Sequence, residues 1–424
     1  MQDTPHVPRF KFQPAAHTTW RGLSDIARFR PNTRPVEMLT EPVILRKIRQ
    51  QPVALITDAT ATQKALFRHS SLFPKADVQQ KLAYVAFGES LSGTTGAQNA
   101  NQRQIMRQLL HSILGPSLQQ VVQEATEDAI TGWLQAGRIN LSLALPELVL
   151  QVAWATLFGP GSYEGRDRDV LETAKRLDQA DRGDFRGNAE VLRDLIQRFI
   201  DRRRWERLPH TNPFRHITNP DPVSQTGLTR SELLANAAGL AGSGHVTTGL
   251  TLAWALWLLG QCGTMQERLH ERLKQAPNGT SAASLLALTN ETMRLFPPAT
   301  ETMRRADYPL TIAGTRIEPG TLLIFSIYGL HRSPRYWSEP DAFKPERFLE
   351  VSSLPPSGAF IPFSGGASGC LGAAIAREEL RLILTEILKR ITVRVSPGMA
   401  ASVGLTAGVC LYPNQPLYAE VAAN

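Results

Sequence analysis

Residues 363–372 read Phe-Ser-Gly-Gly-Ala-Ser-Gly-Cys-Leu-Gly, and the amphipathic stretch 373–380 follows directly. Four glycines, at positions 365, 366, 369 and 372, fall within eight residues. Because glycine loses more backbone entropy on folding than any other residue, this density indicates a backbone that passes close to something flat or bulky. Cys370 precedes the predicted helix, where unpaired N–H groups and the positive end of the helix dipole favour thiolate over thiol. A thiolate on a tight glycine loop is what an axial ligand of haem iron requires.

The surroundings of Cys370 distinguish it from an ordinary buried cysteine in a turn. Phe363 lies seven residues before it, Gly366 four before it and Gly372 two after it, with a helix following. This combination resembles the haem-binding signature of the cytochrome P450 family. The resemblance implies that Cys370 binds the iron and that Phe363, Ser368 and Gly372 contact a haem b cofactor. The family normally has Arg or His where this chain has Ser368.

Composition excludes several classes of protein. The 424 residues include 46 Lys and Arg, 38 Asp and Glu, and three cysteines, and 42% of them are hydrophobic. An odd, widely spaced set of cysteines argues against a disulfide framework and suits a reducing compartment, so we read Cys262 and Cys410 as small apolar residues.

The most apolar run, Leu250–Leu259, has about half the length that a bilayer span needs and predicts a buried helix. The N-terminus lacks the apolar region of a secretory signal. The sequence predicts a cytoplasmic protein with no membrane span and, because its basic residues are dispersed, no nucleic-acid partner.

The pattern along the chain predicts a mainly α fold with a small β region. Apolar residues recur at helical spacing, and a long helix should begin near an N-cap at Ser231. Pro297-Pro298 ends the helical part, and turns at Gly314 and Pro319-Gly320 separate short antiparallel strands after it. The predicted helices cover 102–114, 116–136, 142–158, 167–180, 188–205, 231–259, 264–274, 282–295 and 371–389, with short strands over 392–413. The absence of βαβ alternation argues against a doubly wound sheet.

No repeat or Gly/Ser linker divides the chain. The sequence predicts an N-terminal basic arm over 1–40 and one cytochrome P450-like haem domain over 41–424. That domain is expected to be helical to about 298 and mixed strand and coil over 299–369, with the cysteine loop and last helix over 363–390.

Two Glu-x-x-Arg pairs occur close together, at Glu291–Arg294 and at Glu301–Arg304. Alone this spacing is a weak signal, typical of an exposed ion pair. The first pair lies on a helical pattern, whereas the second follows the prolines in a strand-like stretch. In the family, the helical pair and the Arg of a Pro-Glu-Arg-Phe segment, here Arg347, form a buried structural clamp that holds the cysteine loop. The resemblance therefore selects Glu291, and we expect Glu301→Ala to fold and bind haem.

The long helix carries small residues in the stretch 241–248, Ala-Gly-Ser-Gly-His-Val-Thr-Thr. Small residues in mid-helix indicate either a groove for a ligand or close packing against another helix. The stretch resembles the oxygen-binding segment of the family, in which Gly244 would lie against the haem and Thr247 and Thr248 would be catalytic. The family has an acid where this chain has Val246, so proton delivery to Thr247 would come through ordered water, His245 or the substrate.

Three arginines are candidates for binding the haem carboxylates. Arg103 and Arg107 stand one helical turn apart, and such stacked like charges are favourable beside an anion, although a solvated basic face has the same pattern. Arg107 and Arg304 match family positions, whereas Arg103 replaces an aromatic residue. The haem would lie between the long helix and the Cys370 loop.

The resemblance implies a haem-thiolate monooxygenase, an oxidoreductase that inserts one atom of O2 into a small organic substrate by hydroxylation or epoxidation. Electrons would come from a separate ferredoxin and ferredoxin reductase, which basic residues could dock. Two alternatives stay open: peroxide-driven oxidation or isomerisation on the same fold, and a non-catalytic haem sensor. The polar stretch Thr300–Thr302 hints at an oxygen- or nitrogen-bearing substrate.

Overall fold

The computed structural model describes residues 4–12, 34–159, 213–216, 227–275, 280–350, 354–407 and 410–424. The helices predicted over 167–180 and 188–205 lie outside these residues. The chain divides into two units. The first, called here the sheet unit, comprises 1–79, 253–370 and 392–420, and the second, the helical unit, comprises 80–252, 371–391 and 421–424.

Four of the described helices, Ala59–Gln63, Asp77–Phe87, Ile327–Arg332 and Pro397–Ser402, were not predicted, and the helix predicted over 102–114 begins six residues earlier, at Gly96. The other six helices predicted within the described residues agree with the structure to within two residues. The described helices are numbered in chain order. They are α1 (Ala59–Gln63), α2 (Asp77–Phe87), α3 (Gly96–Ser112), α4 (Pro116–Ala136), α5 (Leu141–Phe158), α6 (Arg230–Leu259), α7 (Gly263–Gln275), α8 (Thr280–Leu295), α9 (Ile327–Arg332), α10 (Ala373–Arg390) and α11 (Pro397–Ser402). A π-helical turn covers Lys64–Arg68, and 3-10 turns cover Val36–Leu39, Ser70–Leu72, Pro213–His216, Pro345–Phe348 and Gly366–Ser368.

The described strands are short. They are β1 (Val43–Ile48), β2 (Gln51–Ile56), β3 (Arg138–Asn140), β4 (Glu301–Arg305), β5 (Leu310–Ile312), β6 (Thr315–Ile317), β7 (Leu322–Ser326), β8 (Ile391–Arg394), β9 (Leu405–Ala407), β10 (Leu411–Pro413) and β11 (Tyr418–Ala423).

The main sheet of the sheet unit has the strand order β1-β2-β7-β4. The pairs β1–β2 and β4–β7 are antiparallel, whereas β2 and β7 are parallel, with Val53 opposite Leu322. Strands β1 and β2 were not predicted, and the expectation of a helical region up to about residue 298 is wrong here. The reason is that this hairpin is stabilised by pairing with β7, which is far away in sequence. Gly314 and Gly320 have φ of 79° and 80°, which explains the predicted turns.

The core of the helical unit forms where helices α3, α5 and α6 meet. Met106, Leu150, Trp154, Leu233 and Ala237 are buried together there. These residues occupy the apolar face that the helical spacing predicted, so burial of that face stabilises the bundle. The segment Leu250–Leu259 is also buried throughout, as predicted. None of the helices in the described ranges is long and apolar enough to cross a membrane.

Helix α6 begins one residue earlier than predicted, and its cap is Thr229 rather than Ser231. The N–H of Glu232 donates to Thr229 Oγ1 at 3.2 Å, and the N–H of Thr229 donates to Glu232 Oε2 at 2.8 Å. This reciprocal pair is a capping box, which satisfies two N–H groups that the helix itself leaves unpaired. Ser231 therefore belongs to the first turn.

Residues 8–10 of the N-terminal arm pack on helix α9 of the sheet unit. The Phe10 ring lies 5.2 Å from the ring of Tyr328 on α9, and the N–H of Phe10 donates to Tyr328 Oη at 3.4 Å. The guanidinium of Arg332 donates to the carbonyls of Pro8 and Leu295 and to the carboxylate of Asp341. Arg332 is buried, so these bonds connect the arm to the C-terminal end of α8.

Candidate active site

The cysteine loop is a tight backbone loop packed on the π-helical turn. Cys370 is exposed, and its N–H donates to the carbonyl of Phe363 at 2.9 Å. A Cβ on Gly366 would lie 1.8 Å from the carbonyl oxygen of Leu66, and one on Gly365 would lie 2.2 Å from the Phe67 ring. Gly366 also has φ of 62°. Two of the four glycines are thus required by close packing, and only glycine satisfies both demands at position 366.

Three further residues predicted to contact the haem, Phe363, Ser368 and Gly372, also lie on this loop. Phe363 is half-buried, Ser368 ends the 3-10 turn, and Gly372 precedes α10 without a side-chain cap. The first N–H groups of α10 therefore receive no capping side chain, which leaves the positive end of the helix dipole available near Cys370.

The predicted clamp residues meet in the interior of the sheet unit. Arg294 forms a bidentate ion pair with Glu291, Nε to Oε2 at 2.7 Å and Nη2 to Oε1 at 2.8 Å. Arg347 donates to Glu291 Oε1 at 3.2 Å, and so does the backbone N–H of Lys344 at 2.8 Å. Arg294 also donates to three carbonyls in the surrounding chain. Every polar group of this cluster has a partner, which a buried charge needs in order to be tolerated.

The second Glu-x-x-Arg copy is a different structure. Glu301 does not pair with Arg304; it binds Arg34 in a bidentate ion pair, with Nε and Nη2 at 2.8 and 2.7 Å from its oxygens. Both side chains are fully buried. This buried ion pair argues against the expectation that Glu301→Ala folds normally, because the substitution removes the carboxylate that binds the buried Arg34 guanidinium.

Arg304 is a buried guanidinium without an anionic partner among the described residues. Its side chain is 2% exposed, and Nη1 donates to Thr302 Oγ1 at 2.9 Å and to the Met303 carbonyl at 2.8 Å. Burial lowers the pKa of Arg304 to about 10, with no carboxylate to oppose it. A buried, unpaired cation is a strong reason to expect an anionic ligand at this place.

One face of α6 is open in the stretch predicted to bind oxygen. Ser243 is exposed and Gly244 and Thr247 are half-exposed, whereas Val246 and Thr248 are buried. Thr247 Oγ1 donates to the carbonyl of Ser243 at 3.1 Å and lies 3.4 Å from that of Gly244. Ser243, Gly244 and Thr247 thus form a polar strip on the open face, called here the groove face, while Thr248 lies off it.

Two glycines of α6 separate the two explanations for its small residues. A Cβ on Gly249 would lie 2.4 Å from the Cα of Pro146 in α5, so this glycine permits close helix packing. A Cβ on Gly244 would meet no described atom within 4 Å outside its own stretch of helix. Close helix packing therefore explains Gly249. It does not explain Gly244, which fits the alternative of a groove for a ligand.

His245 lies away from the groove face. It is fully buried, Nδ1 is 2.6 Å from the Ala241 carbonyl, and Nε2 has no partner among the described residues. Residues two apart on a helix are about 200° apart around its axis, so His245 and Thr247 do not share a face. Burial lowers the pKa of His245 to about 4. His245 is therefore a poor candidate for carrying protons to Thr247.

The basic residues of the helical unit are partly neutralised. Arg107 is exposed and Arg103 half-buried on α3. On α10, Arg381 pairs with Glu378 at 2.6 Å, and Arg390 pairs with Glu127 of α4. The two ion pairs therefore reduce the free positive charge of α10.

The Cytochrome P450 sequence profile matches residues 163–411, more than half of the chain. The chain belongs to this family. A cyclooctat-9-en-7-ol 5-monooxygenase of Streptomyces melanosporofaciens is 27% identical over 356 residues, which cover 77% of each chain. A chloroplastic carotene epsilon-monooxygenase of Arabidopsis thaliana is 29% identical over 55% of this chain and 46% of its own. A structure of a zebrafish cytochrome P450 with abiraterone has a TM-score of 0.76 at 21% identity, covering 92% of this chain and 97% of the other.

The predicted family and fold are confirmed by these likenesses. The protein is an oxidoreductase, a cytochrome P450 monooxygenase, and the family implies a haem cofactor. Proteins of this family generally take electrons from redox partners and act on small molecules.

Proposed function

We propose that this cytochrome P450 inserts one oxygen atom of O2 into a small organic substrate, by hydroxylation or epoxidation, with haem b bound through Cys370. The observation that carries the proposal is the exposed cysteine on a loop whose glycines are required by packing. When bound, the haem supplies the activation and transfer of oxygen. The residues of the protein hold the haem, exclude water and transfer protons.

The residues present fit a haem. Cys370 offers a sulfur ligand, and its thiolate form is favoured by the start of α10. Arg304 offers a buried cation without a carboxylate of its own, which a haem carboxylate would satisfy. Gly244 leaves space on α6 for a flat group. Arg103 and Arg107 would add positive charge, and Ser368 would add one hydrogen bond without charge.

We further propose that Glu291, Arg294 and Arg347 act as a structural clamp for the cysteine loop, and that Thr247 is the catalytic alcohol. The Thr247 hydroxyl directs its own proton to helix carbonyls, so its oxygen lone pairs are available to accept a hydrogen bond on the groove face. Because Val246 has no titratable group and His245 lies off this face, protons would reach Thr247 through ordered water or the substrate. The burial of Thr248 favours a packing role for that residue.

Electron supply by a separate ferredoxin and its reductase and a cytoplasmic location stay predictions. The monooxygenase names of two relatives support an oxygenation of small, largely apolar molecules. Thr302 is occupied as an acceptor for Arg304, so the polar stretch offers less support for a polar substrate than its sequence suggested.

Val246 favours a second candidate function, oxidation driven by peroxide or isomerisation without external electrons. A chain without an acid beside Thr247 is expected to handle protons for O2 cleavage less well, and a positioned acid contributes about 10²–10⁴-fold. NADPH consumption with a surrogate ferredoxin and reductase, compared with turnover on peroxide alone, separates the candidates. Faster turnover on peroxide would favour the second.

The test of the haem-thiolate assignment is the substitution Cys370→His. We expect the reduced wild-type protein with CO to show the red-shifted Soret band of thiolate ligation, and Cys370→His to lose it, because imidazole donates less charge to the iron. Cys262→Ala serves as the matched control and should keep the band. A band of wild-type intensity in Cys370→His would contradict the assignment.

A further inference from the structure

His331, at the end of α9, is a buried histidine whose two ring nitrogens both have backbone partners. Its Nδ1 lies 3.2 Å from the carbonyl of Met293, and its Nε2 lies 2.9 Å from the N–H of Ile361. A carbonyl can only accept, so the proton is on Nδ1, and Nε2 then accepts from Ile361. The ring is therefore a neutral bridge of defined tautomer that joins helix α8 to the segment before the cysteine loop.

The Ile361 end of this bridge continues into the cysteine loop. The carbonyl of Ile361 accepts a hydrogen bond from the N–H of Ser364 at 3.0 Å. The carbonyl of Phe363, between these residues, accepts from the N–H of Cys370 at 2.9 Å. One backbone hydrogen bond thus holds Cys370 to Phe363, and a second closes the turn 361–364 in the segment that His331 binds.

The other end of the bridge belongs to the clamp. Met293 is the neighbour of Arg294, and Arg294 Nη1 donates to the His331 carbonyl at 3.0 Å. The guanidinium of Arg294 lies 5.0 Å from the ring of Trp337, whose ring is 6.1 Å from that of Phe360. The Phe360 ring is in turn 5.0 Å from the imidazole of His331. Arg294 of the clamp, Trp337, Phe360 and the imidazole of His331 are thus packed in a continuous series of contacts that reaches the segment before the cysteine loop.

We propose that His331 is a positioning residue for the iron ligand, which transmits the fixed geometry of the Glu291–Arg294–Arg347 clamp to Cys370 through the Ile361 N–H. The inference rests on the proposed haem-thiolate function. Groups that orient a ligating residue from behind typically change metal affinity or activity 10–100-fold when removed. The bridge from Met293 through His331 to Ile361 gives a physical route by which the clamp acts on the cysteine.

The protonation state of His331 supports this role. Burial lowers the pKa of His331 to about 3, and the neighbouring charges of Arg294 and Arg332 act in the same direction. The ring is therefore neutral near pH 7, and the Nε2 lone pair is always available to the Ile361 N–H.

The experiment compares His331→Leu and His331→Gln with the matched variants His245→Leu and His245→Gln in the full-length haem protein. Both histidines are fully buried and bond through Nδ1 to a backbone carbonyl, but only His331 reaches the cysteine loop. Three quantities are measured: far-UV circular dichroism, haem content per chain, and the rate at which the thiolate Soret band of the reduced CO complex is lost at a fixed temperature.

We expect His331→Leu to retain its helix content and its haem while the thiolate band is lost about ten-fold faster than in the wild type. His331→Gln should be intermediate, because its amide oxygen can accept from Ile361. Both His245 variants should lose the band at the wild-type rate. A wild-type rate in His331→Leu, or equal acceleration in His245→Leu, would overturn the proposal.

Failure of both His331 variants to yield folded protein, with the His245 variants normal, would also overturn it, since the role would then be structural. Absence of the thiolate band from the wild type itself would instead reject the proposed function, so the two failures are distinguishable.

Discussion

At the scale of single residues, the two Glu-x-x-Arg copies differ in their partners: one glutamate binds an arginine nearby in sequence, and the other binds one far away. Both glutamates are fully buried in bidentate ion pairs, Glu291 with an arginine three residues away and Glu301 with Arg34, 267 residues away. Glu291 lies in the clamp, whereas Glu301 joins the N-terminal arm to strand β4. Removing either carboxylate leaves a buried guanidinium without its counter-ion.

We expect Glu291→Ala and Glu301→Ala to lower the free energy of unfolding by about 3–5 kcal/mol each, because breaking a buried pair costs far more than the pair contributes. Glu318→Ala is the matched control, since Glu318 forms an equally short ion pair with Arg316 on the surface and should leave stability unchanged. The measurement is urea unfolding followed by circular dichroism. A Glu301→Ala protein as stable as Glu318→Ala would contradict this interpretation.

The sequence predicted the cysteine loop well and the buried charges less well, for a physical reason. The loop is a local pattern, in which a few adjacent residues carry both the packing and the conformational demands. An ion pair is defined by two residues that meet only in the folded chain, so nothing in the sequence indicated that Glu301 binds Arg34. Arg332 and His331 gave no signal for the same reason, since their partners are mostly backbone carbonyls of distant segments.

At the scale of elements, helix α6 has two uses for glycine, and substitution by alanine separates them. At Gly249 an added methyl group meets the backbone of α5, which cannot move aside easily. We expect Gly249→Ala to lower the free energy of unfolding by about 1–3 kcal/mol through overpacking.

Gly244→Ala should instead keep or raise stability by about 0.5–1 kcal/mol, because alanine favours the helix and the space is open. It should also slow CO binding, since the added methyl group enters the groove. Thermal unfolding and CO-binding kinetics of the two variants test this pair. Equal loss of stability in both would show that Gly244 also serves helix packing.

Helices were easier to predict than strands. Helix formation depends on residues close in sequence, so the helical period of apolar residues and the prolines predicted the bounds of α4 and α5 to within one residue. The pairing of β2 with β7 depends on contacts across some 270 residues of sequence, for which no local pattern exists. Helix α11 was missed because its six residues are too few for a periodic pattern.

At the scale of the whole molecule, three fully buried titratable groups among the described residues contribute to the pH dependence of stability. Burial lowers the pKa of His331 and His245 to about 3 and 4, so each binds a proton on unfolding below about pH 6.5. Burial raises the pKa of Glu379 to about 8, so this carboxyl loses a proton on unfolding above about pH 4.5. The histidines therefore make the folded protein more stable as the pH rises, and the glutamate makes it more stable as the pH falls.

From these three groups we expect maximal stability near pH 6.5, with a decrease of roughly 1.4 kcal/mol per pH unit on either side. Below pH 6.5 unfolding takes up two protons on the histidines and releases one from the glutamate. Above pH 6.5 only the release from the glutamate remains. Urea-unfolding midpoints between pH 5 and 8 measure the curve. Glu379→Gln should remove the decrease on the alkaline side and make the one on the acid side about twice as steep, because the two histidines are then unopposed. An unchanged alkaline side would contradict the assignment.

The two units interleave along the chain, and each is built from segments of both halves. No linker could therefore reveal them in the sequence, which explains why composition alone indicated no boundary.

The docking of the N-terminal arm has a consequence for the order in which the protein can be assembled on the ribosome. Phe10 packs against Tyr328, which is 318 residues further along. At about 5–20 residues per second, roughly 15–60 s pass between synthesis of the two residues. During that interval Phe10 lacks its contact with Tyr328, so residues 4–12 cannot pack as they do in the folded protein. A chaperone that binds short apolar stretches therefore has a long opportunity to bind this segment.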